Sequence, residues 1–356
     1  TYMTAILRSP RLLLLFVVPV ALLLFGGVSC TRPKPDRGIL RSVDSGATWE
    51  QKTRAGEDKT ISRRNRLDIQ VSPHDGSVIL AGGIESGVWV STNGAETWSA
   101  TNLTQPTVKS VAFSAVTEGV VYASGELGGI RKIYKSEDNG STWSEVFSAT
   151  HRDQRVEVIQ VDWYNDEIVY AGTQDNAILK SIDSGENWLV NTRFPSVIND
   201  IEISLDDSRL IYAATDGSGL WRTTDAGATE WVRLLGNEDD GGFTRTSRVF
   251  DVEVDPALPS IVYAASRHGL TRSRDSGDTW EDVPLLVSPG SISQLRIALD
   301  PFSFQPVYVA IDSSFYASDN FGETWDPQKV TNHKIRALAI DPNDPQTLYM
   351  GIQEAK

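Results

Sequence analysis

Seven variants of one short motif recur along the 356-residue chain. The motif reads Ser-x-Asp-x-Gly-x-Thr-Trp, and its first copy runs from Ser42 to Trp49. Its third position holds Asp44, Asn93, Asp138, Asp183, Asp225, Asp275 and Asn320, and its last holds Trp49, Trp98, Trp143, Trp188, Trp231, Trp280 and Trp325. Successive copies lie 42 to 50 residues apart. A near-constant period of this size indicates a repeat architecture in which each repeat forms one structural unit.

Each repeat also contains short apolar runs with a period of two residues. In one repeat these are 251–255, 262–265 and 269–273, and the middle run is of a Val-Tyr-Ala type that returns seven times. Such runs, rich in Val, Ile, Tyr and Trp and bounded by Gly, Asp, Asn and Pro, are typical of β-strands. Four strands in about 45 residues make one propeller blade. The sequence therefore predicts an all-β, seven-bladed β-propeller with four-stranded blades over residues 37–356.

The two ends of the predicted propeller complete one another. Only one strand, 38–42, precedes the first motif, and two strands, 337–340 and 348–352, follow the last complete repeat. We expect one composite blade, with two strands from each end of the chain. Such a blade closes the ring and leaves no open sheet edge, which is where all-β proteins are prone to pair with other chains.

The motif, which we call the Asp box for its third position, is predicted to be a structural turn. Ser, Asp and Gly can hydrogen-bond the backbone of a tight turn, and the Trp can bury a large apolar area against the neighbouring blade. Degenerate copies favour this interpretation over a Ca²⁺ loop or a ring of acids, because Asn93 and Asn320 replace the acid and Ala95 replaces the Gly. The four histidines show no metal-ligand spacing, so we predict neither a metal nor another cofactor.

The first thirty residues have the plan of a secretory signal. Arg8 and Arg11 precede an apolar run, and small residues lead to Cys30, the only cysteine. This layout resembles the lipobox of bacterial lipoproteins, with Gly27 in place of the usual Leu. We predict a signal peptide at 1–29, a lipidated Cys30 with a tether at 30–36, and an exported, membrane-anchored protein on the extracytoplasmic side. The alternative, an uncleaved anchor, is disfavoured because the run is short for a span of about 20 residues.

The chain is acidic, with a formal net charge of −14. Removal of residues 1–29 would take away two arginines and no acids, which leaves 31 basic against 47 acidic side chains. An acidic protein of this kind lacks the basic footprint of a nucleic-acid-binding protein. The charge is consistent with a monomer.

Basic residues are nevertheless concentrated in loops that should meet at one end of the ring. Arg66, Arg155 and Arg248 come just before the first strands of three blades, and Arg245, Arg267 and His268 lie in neighbouring loops. Positive charge gathered on an acidic body predicts a binding face for an anionic or acidic partner. The alternative is that these residues are ordinary loop residues paired with nearby acids.

The repeats, the Val-Tyr-Ala strands and the signal layout together resemble the photosystem II stability/assembly-factor-like proteins of the BNR/sortilin-like propeller superfamily. The resemblance covers nearly all of residues 37–356. It implies an extracytoplasmic seven-bladed propeller that binds a membrane-protein partner through an arginine-rich face. Arg66, Arg155, Arg245 and Arg248 are the positions here that could form that face. The photosynthetic role itself does not transfer, because many bacteria with such proteins have no photosystem.

Two other functions remain open. A glycoside hydrolase is the stronger, because sialidases share the Asp boxes and bind a sugar carboxylate with three arginines; however, their Phe/Tyr-Arg-Ile-Pro motif is missing here. Xyloglucan-cleaving relatives use two propellers with an acid pair between them, and Glu85, Glu126, Asp175 and Asp216 are the acids that could supply such a pair. The other is a sortilin-like peptide receptor, which needs a ten-bladed ring. We predict a non-catalytic binding or assembly protein rather than an enzyme.

Overall fold

The structure, a computed structural model, describes residues 37–56, 59–61, 65–104, 106–149, 156–236 and 247–353. At positions 66 and 127 the structure describes only the backbone. The predicted signal segment, Cys30 and the tether lie outside these residues. The described residues contain no α-helix, and thus none that is long and apolar enough to span a membrane.

The described chain forms 28 strands in seven four-stranded antiparallel sheets. Blade 1 has β3 (Arg66–Val71), β4 (Ile79–Gly83), β5 (Gly87–Ser91) and β6 (Ser99–Ala100); blade 2 has β7 (Thr107–Phe113), β8 (Val121–Leu127), β9 (Ile130–Ser136) and β10 (Ser144–Ser148). Blade 3 has β11 (Val156–Val161), β12 (Val169–Thr173), β13 (Ala177–Ser181) and β14 (Leu189–Arg193); blade 4 has β15 (Ile198–Ile203), β16 (Ile211–Thr215), β17 (Leu220–Thr223) and β18 (Val232–Leu235). Blade 5 has β19 (Val249–Val254), β20 (Val262–Ser266), β21 (Gly269–Ser273) and β22 (Glu281–Val283); blade 6 has β23 (Leu295–Leu299), β24 (Val307–Ile311), β25 (Ser314–Ser318) and β26 (Asp326–Lys329).

Blade 7 joins the two ends of the described chain. It consists of β27 (Lys334–Asp341), β28 (Asp344–Gln353), β1 (Ile39–Ser42) and β2 (Glu50–Gln51). The β1 and β28 strands pair antiparallel, from Ile39 opposite Gly351 to Ser42 opposite Leu348. The predicted all-β fold, the count of seven blades and the composite blade are confirmed.

The second strand of each blade lies deepest in the core. In the Val-Tyr-Ala strands every residue of β12, β16 and β20 is buried, because these strands have a sheet neighbour on each side and a blade against each face. The tyrosines also join blades: the Tyr122 hydroxyl donates to the Ser184 carbonyl at 3.0 Å, and the Tyr212 hydroxyl donates to the Ser276 carbonyl at 2.8 Å. Burial of these rings between sheets stabilises the ring of blades without any helix.

The Asp box closes on itself through hydrogen bonds. Ser42 Oγ donates to Asp44 Oδ1 at 2.7 Å and accepts from the Gly46 N–H at 2.8 Å. Asp44 accepts from the Thr48 N–H at 2.8 Å and from the Thr48 hydroxyl at 2.6 Å. Gly46 has a φ of 88°, and a Cβ there would lie 2.1 Å from the Phe315 ring of the preceding blade. The motif thus needs a small residue in a left-handed conformation at the blade boundary.

An amide performs the same task in the degenerate copies. Asn93 accepts from the Thr97 N–H and donates to the Thr97 hydroxyl, each at 2.9 Å. We therefore expect Asp138→Asn to leave the unfolding free energy nearly unchanged, whereas Asp138→Ala should lower it by about 1 kcal/mol through loss of the two Thr142 bonds. Urea denaturation followed by tryptophan fluorescence measures both. Equal losses in the two variants would show that the charge, and not the turn, matters.

Candidate functional site

The ring presents two chemically different faces. On one, which we call the loop face, the loops between second and third strands meet the connections between blades: the Asp216 N–H donates to the Val197 carbonyl at 2.9 Å, and the Asp312 N–H donates to the Gln294 carbonyl at 3.1 Å. On the other, which we call the Asp-box face, the loops between first and second strands meet the Asp-box turns. There the Ser184 N–H donates to the Glu167 carbonyl at 2.9 Å.

The loop face carries three of the six basic residues predicted from the sequence, Arg248, Arg267 and His268. Arg248 lies one residue before β19 and binds Asp216 through both arms of the carboxylate, with Nη2 at 3.0 Å from Oδ2 and Nε on Oδ1. Arg267 is next to it, since the Arg267 N–H donates to the Arg248 carbonyl at 3.4 Å. Arg267 Nε also donates to the Gly290 carbonyl at 3.1 Å. His268 follows in the same loop, so blade 5 brings three of the six predicted binding residues together.

The other three predicted binding residues are placed only in part. Arg66 is the first residue of β3, paired with Gly83, and the structure describes only its backbone. Arg155 and Arg245 lie outside the described residues. The shared space predicted for Arg66, Arg155 and Arg248 thus stays a prediction.

Three acids of the loop face are engaged in ion pairs with arginines. Besides Asp216, Asp175 contacts Arg193 at 3.3 Å and Glu126 contacts Arg131 at 2.9 Å. These pairs are partly solvated, and pairs of this kind contribute less than about 1 kcal/mol each. They do, however, occupy three of the four carboxylates that the sequence singled out for glycoside hydrolysis.

The inner strands of the seven blades surround a central cavity of about 600 Å³. Because side chains alternate along a strand, every second residue of an inner strand faces this channel. In β15 and β19 the channel-facing residues are acids, namely Asp200, Glu202, Asp251 and Glu253. Sequence reasoning passed over these residues, although the alternation of acids and aliphatic residues in both strands was visible.

Three channel aspartates join neighbouring blades. Each accepts a hydrogen bond from a backbone N–H in the inner strand of the next blade: Asp68 from Val111 at 2.8 Å, Asp200 from Val252 at 3.0 Å, and Asp251 from Ile297 at 2.8 Å. Ser110 accepts in the same way from Ile159 at 3.2 Å. These carboxylates therefore have a structural task at the innermost layer of the ring.

Arg296 is the central cation of this network. Its Nη1 donates to Asp251 Oδ1 at 2.7 Å and to the Phe250 carbonyl at 2.9 Å, and its Nε donates to the Arg336 carbonyl at 3.1 Å. Bonds to both neighbouring blades place one guanidinium, with 28% of its side chain exposed, against several partly buried carboxylates of the channel. Such a cation offsets the cost of burying their charge.

Burial raises the pKa values of the channel acids. Loss of hydration raises the pKa of Asp68 to about 6 and that of Asp200 to about 7, with the neighbouring Asp251 charge adding to the effect at Asp200. Loss of hydration is also the main cause that raises the pKa values of Glu202 and Glu253. Protons are thus held more tightly in the folded protein than in the unfolded chain.

The raised pKa values predict that stability falls as the pH rises. At a pH below about 4, which is the pKa of an aspartate in the unfolded chain, Asp68 and Asp200 are protonated in both states and their raised pKa values cost no stability. Above the folded pKa values of about 6 for Asp68 and about 7 for Asp200, the folded protein must carry both charges in the channel, and stability is lost. We expect the unfolding free energy to decrease by about 2 kcal/mol or more between pH 5 and pH 8. Urea denaturation across this range should show a shallower decrease for Asp200→Asn, and an unchanged one for the exposed Asp282→Asn. A wild-type stability that is level or rising over the range would contradict the assignment.

Among the described residues, no group of three or more His, Cys, Asp or Glu side chains is arranged to hold a metal ion.

Comparison with known proteins links this ring to two kinds of propeller. No model of a protein family matches the chain. A xyloglucanase of Acetivibrio thermocellus is 27% identical over 216 residues, which is 49% of this chain and 25% of that protein. A xyloglucanase of Hypocrea jecorina is 22% identical over 362 residues, 88% of this chain and 41% of that protein. The chain therefore spans less than half the length of these relatives.

Solved structures give two groups, GH74 xyloglucanases and YCF48. The GH74 xyloglucanase from Xanthomonas campestris superposes with a TM-score of 0.67 at 16% identity, over 85% of this chain and 52% of that one. YCF48 from Cyanidioschyzon merolae gives 0.62 at 15% identity, over 82% of this chain and 97% of that one. The chain shares its propeller fold with both. A structure of YCF48 bound to a D1 peptide gives 0.60 at 16% identity, over 85% of this chain and 100% of that chain. Identities this low establish the fold alone.

Proposed function

We propose that this protein is a non-catalytic, protein-binding propeller that acts as an assembly factor and recognises its partner through the loop face. The observation that carries the proposal is the extent of the structural match. The ring corresponds to the whole chain of the YCF48 structure that holds a D1 peptide. One ring of this kind is thus sufficient for peptide recognition in a structural neighbour.

The chemistry of the loop face supports binding over catalysis. Glycoside hydrolysis needs two carboxyl groups free to act as acid and as base or nucleophile on one bond. Here Glu126, Asp175 and Asp216 are each held by an arginine. The channel aspartates, in turn, are bound to backbone N–H groups.

The arginines supply what an acidic or carboxylate-bearing partner would need. Arg248 has about half of its side chain exposed while paired, so a partner carboxylate could compete with Asp216 for the guanidinium. Arg267 lies beside it, and we propose that Arg66, Arg155, Arg245 and His268 extend the same surface. A lipid on Cys30 would hold this monomeric propeller at the outer side of a membrane, where membrane proteins are the available partners.

The test is affinity capture from detergent-solubilised native membranes, read by quantitative mass spectrometry. Wild type is compared with Arg248→Glu and with Arg209→Glu. Both arginines form an exposed ion pair with an aspartate, but Arg209 pairs with Asp207 on the Asp-box face and therefore serves as the matched control. We expect a protein that is recovered with wild type and Arg209→Glu and lost with Arg248→Glu. Equal recovery from all three would refute the loop face as the binding site.

A xyloglucan-cleaving enzyme is the second candidate, because the curated relatives with significant sequence similarity are xyloglucanases. In that case purified protein should release reducing ends from xyloglucan, and Asp175→Asn or Asp216→Asn should abolish the release. Absence of hydrolysis together with partner capture would favour the assembly factor.

A further inference from the structure

We infer that the Asp-box face is a second binding surface, which takes a cationic, amphipathic segment of a partner protein. The segment would carry lysine or arginine side chains interspersed with large apolar ones. The surface is centred on blades 5 and 6, and it lies at the opposite ends of the strands from the loop face.

The first observation is the excess of negative charge. Each of the seven loops between first and second strands, and each of the seven Asp-box turns, contains or directly adjoins at least one Asp or Glu. All of these segments lie within the described residues, and their only lysine or arginine side chains are Arg209 and Arg274. Both are already ion-paired, with Asp207 at 2.8 Å and with Glu281 at 2.9 Å. Arg41, Lys135 and Arg222 each directly precede an Asp box, and they pair with Glu96, Glu137 and Asp278 on this face. The other acids leave the face with an excess of negative charge, which attracts cations.

The turns themselves keep this charge in place. Hydrogen bonds from the Thr48 side chain and backbone lower the pKa of Asp44, and those from Thr279 lower the pKa of Asp275. These carboxylates remain ionised well below neutral pH. The negative field of the face thus persists over the range in which a lysine- or arginine-rich segment is cationic.

The second observation is the exposure of large apolar side chains on the same face. Most of the large apolar residues that the described chain exposes lie in these loops and turns, including Tyr164, Ile182, Leu258, Phe302 and Phe304. Phe302 is 66% exposed, and Leu258 occupies the corresponding loop of the adjacent blade. Leu258, Phe302 and Phe304 thus place exposed apolar groups on two adjacent blades, and such groups with charge around them are a common mark of a protein-binding surface.

The apolar side chains are held in fixed turns. Asp300 Oδ1 accepts from the Phe302 N–H at 2.8 Å, and Asp255 Oδ1 accepts from the Leu258 N–H at 2.9 Å. Phe304 packs against Phe321 of the Asp-box turn, with ring centroids 5.3 Å apart. Because the backbone of these loops is already ordered, binding would cost little conformational entropy there.

Charge complementarity selects the occupant. An anionic lipid surface would be repelled by this face, and a second copy of the same face would bring like charges together. A hydrophilic polycation would leave Phe302 and Leu258 in water. A segment with both kinds of side chain satisfies the acids and covers the apolar groups, and its cations can also lie over the aromatic rings.

The proposal is tested by fluorescence anisotropy on the purified full chain. The probe is a fluorescein-labelled 14-residue peptide made of two Leu-Lys-Lys-Leu-Leu-Lys-Leu repeats. Phe302→Ser should weaken binding about fivefold or more, whereas Leu189→Ser, an equally exposed apolar residue on β14, should leave it within about twofold. Asp319→Asn/Glu323→Gln in the blade 6 turn should weaken binding, and Asp282→Asn/Glu145→Gln, at exposed positions on the outer strands β22 and β10, should not. Added salt should weaken binding to wild type.

Several results would overturn the inference. One is equal binding of the probe to wild type and to both Asp-box-face variants. Another is that a peptide with glutamate at every lysine position binds wild type as tightly as the probe does. The third is loss of probe binding only in Arg248→Glu. A doubled mass in light scattering that Phe302→Ser abolishes would show instead that the face joins two copies. Since Arg248→Glu tests the loop face separately, failure here leaves the proposed function standing, and the reverse also holds.

Discussion

The Arg296→Met variant should lose about 3 kcal/mol of unfolding free energy at pH 7. Methionine keeps much of the volume of the side chain but removes the guanidinium that contacts Asp251 and both neighbouring blades. The carboxylates of Asp251 and Asp200 would then remain buried without that compensating charge. Breaking one partner out of a buried ion pair is costly for this reason, even where the intact pair adds little. Urea denaturation followed by tryptophan fluorescence measures the loss.

The pH dependence of the Arg296→Met variant provides a second test of the same explanation. At pH 5 the neighbouring Asp200 carboxyl would be largely protonated, given its pKa of about 7, so the loss should be smaller there. Arg274→Met is the matched control, because Arg274 is half-exposed and pairs with Glu281 at the surface; its removal should cost less than about 1 kcal/mol. An Arg296→Met protein as stable as wild type at pH 7 would mean that the channel carboxylates need no cation.

Gly87→Ala should be the second severe substitution, with a loss of about 4 kcal/mol. Gly87 begins β5 with a φ of 60°, and a Cβ there would lie 1.5 Å from the Leu103 carbonyl oxygen. That oxygen belongs to the backbone of the connection between blades 1 and 2, so it cannot move without displacing the connection. Both the left-handed conformation and the clash contribute to the loss.

Gly128→Ala separates the two contributions. Gly128 has nearly the same φ, 63°, but nothing lies within 4 Å of the position a Cβ would take. It should therefore show only the cost of the left-handed backbone, about 1–2 kcal/mol. Thermal or urea unfolding of the two variants side by side gives the difference. Equal losses would show that the steric contact at Gly87 is relieved by a small shift.

The fold could be predicted from the sequence because each blade repeats the same local sequence motifs. The Asp-box turn of Ser42, Asp44 and Gly46 is stabilised by its own side chains, so its presence in the sequence reports the turn directly. The composite blade followed from the strands that precede the first box and follow the last repeat. These are local features, and no knowledge of distant contacts was needed to place them.

The candidate site was harder to predict from the sequence because it depends on contacts between residues that are far apart in the chain. Arg248 pairs with Asp216, 32 residues away, and only the register of two loops brings them together. The acids of β15 and β19 were visible as an alternating pattern. Only closure of the ring determines whether the acidic face of an inner strand lines the channel. The hydrogen bond of Asp200 with the Val252 N–H depends in addition on how adjacent blades are offset.

The central claim is that the loop face binds a protein, and site-specific photocrosslinking tests it most directly. The photoreactive residue p-benzoylphenylalanine is placed at Gly217, an exposed position in the loop between β16 and β17, where a Cβ would lie 3.6 Å from Ser196 Cβ and so meet no clash. It is placed separately at the exposed Gln328 on the outer strand β26. After irradiation in native membranes, the adducts are identified by mass spectrometry. We predict one protein crosslinked from position 217 and absent from position 328. The same adducts from both positions, or none from position 217, would contradict the claim.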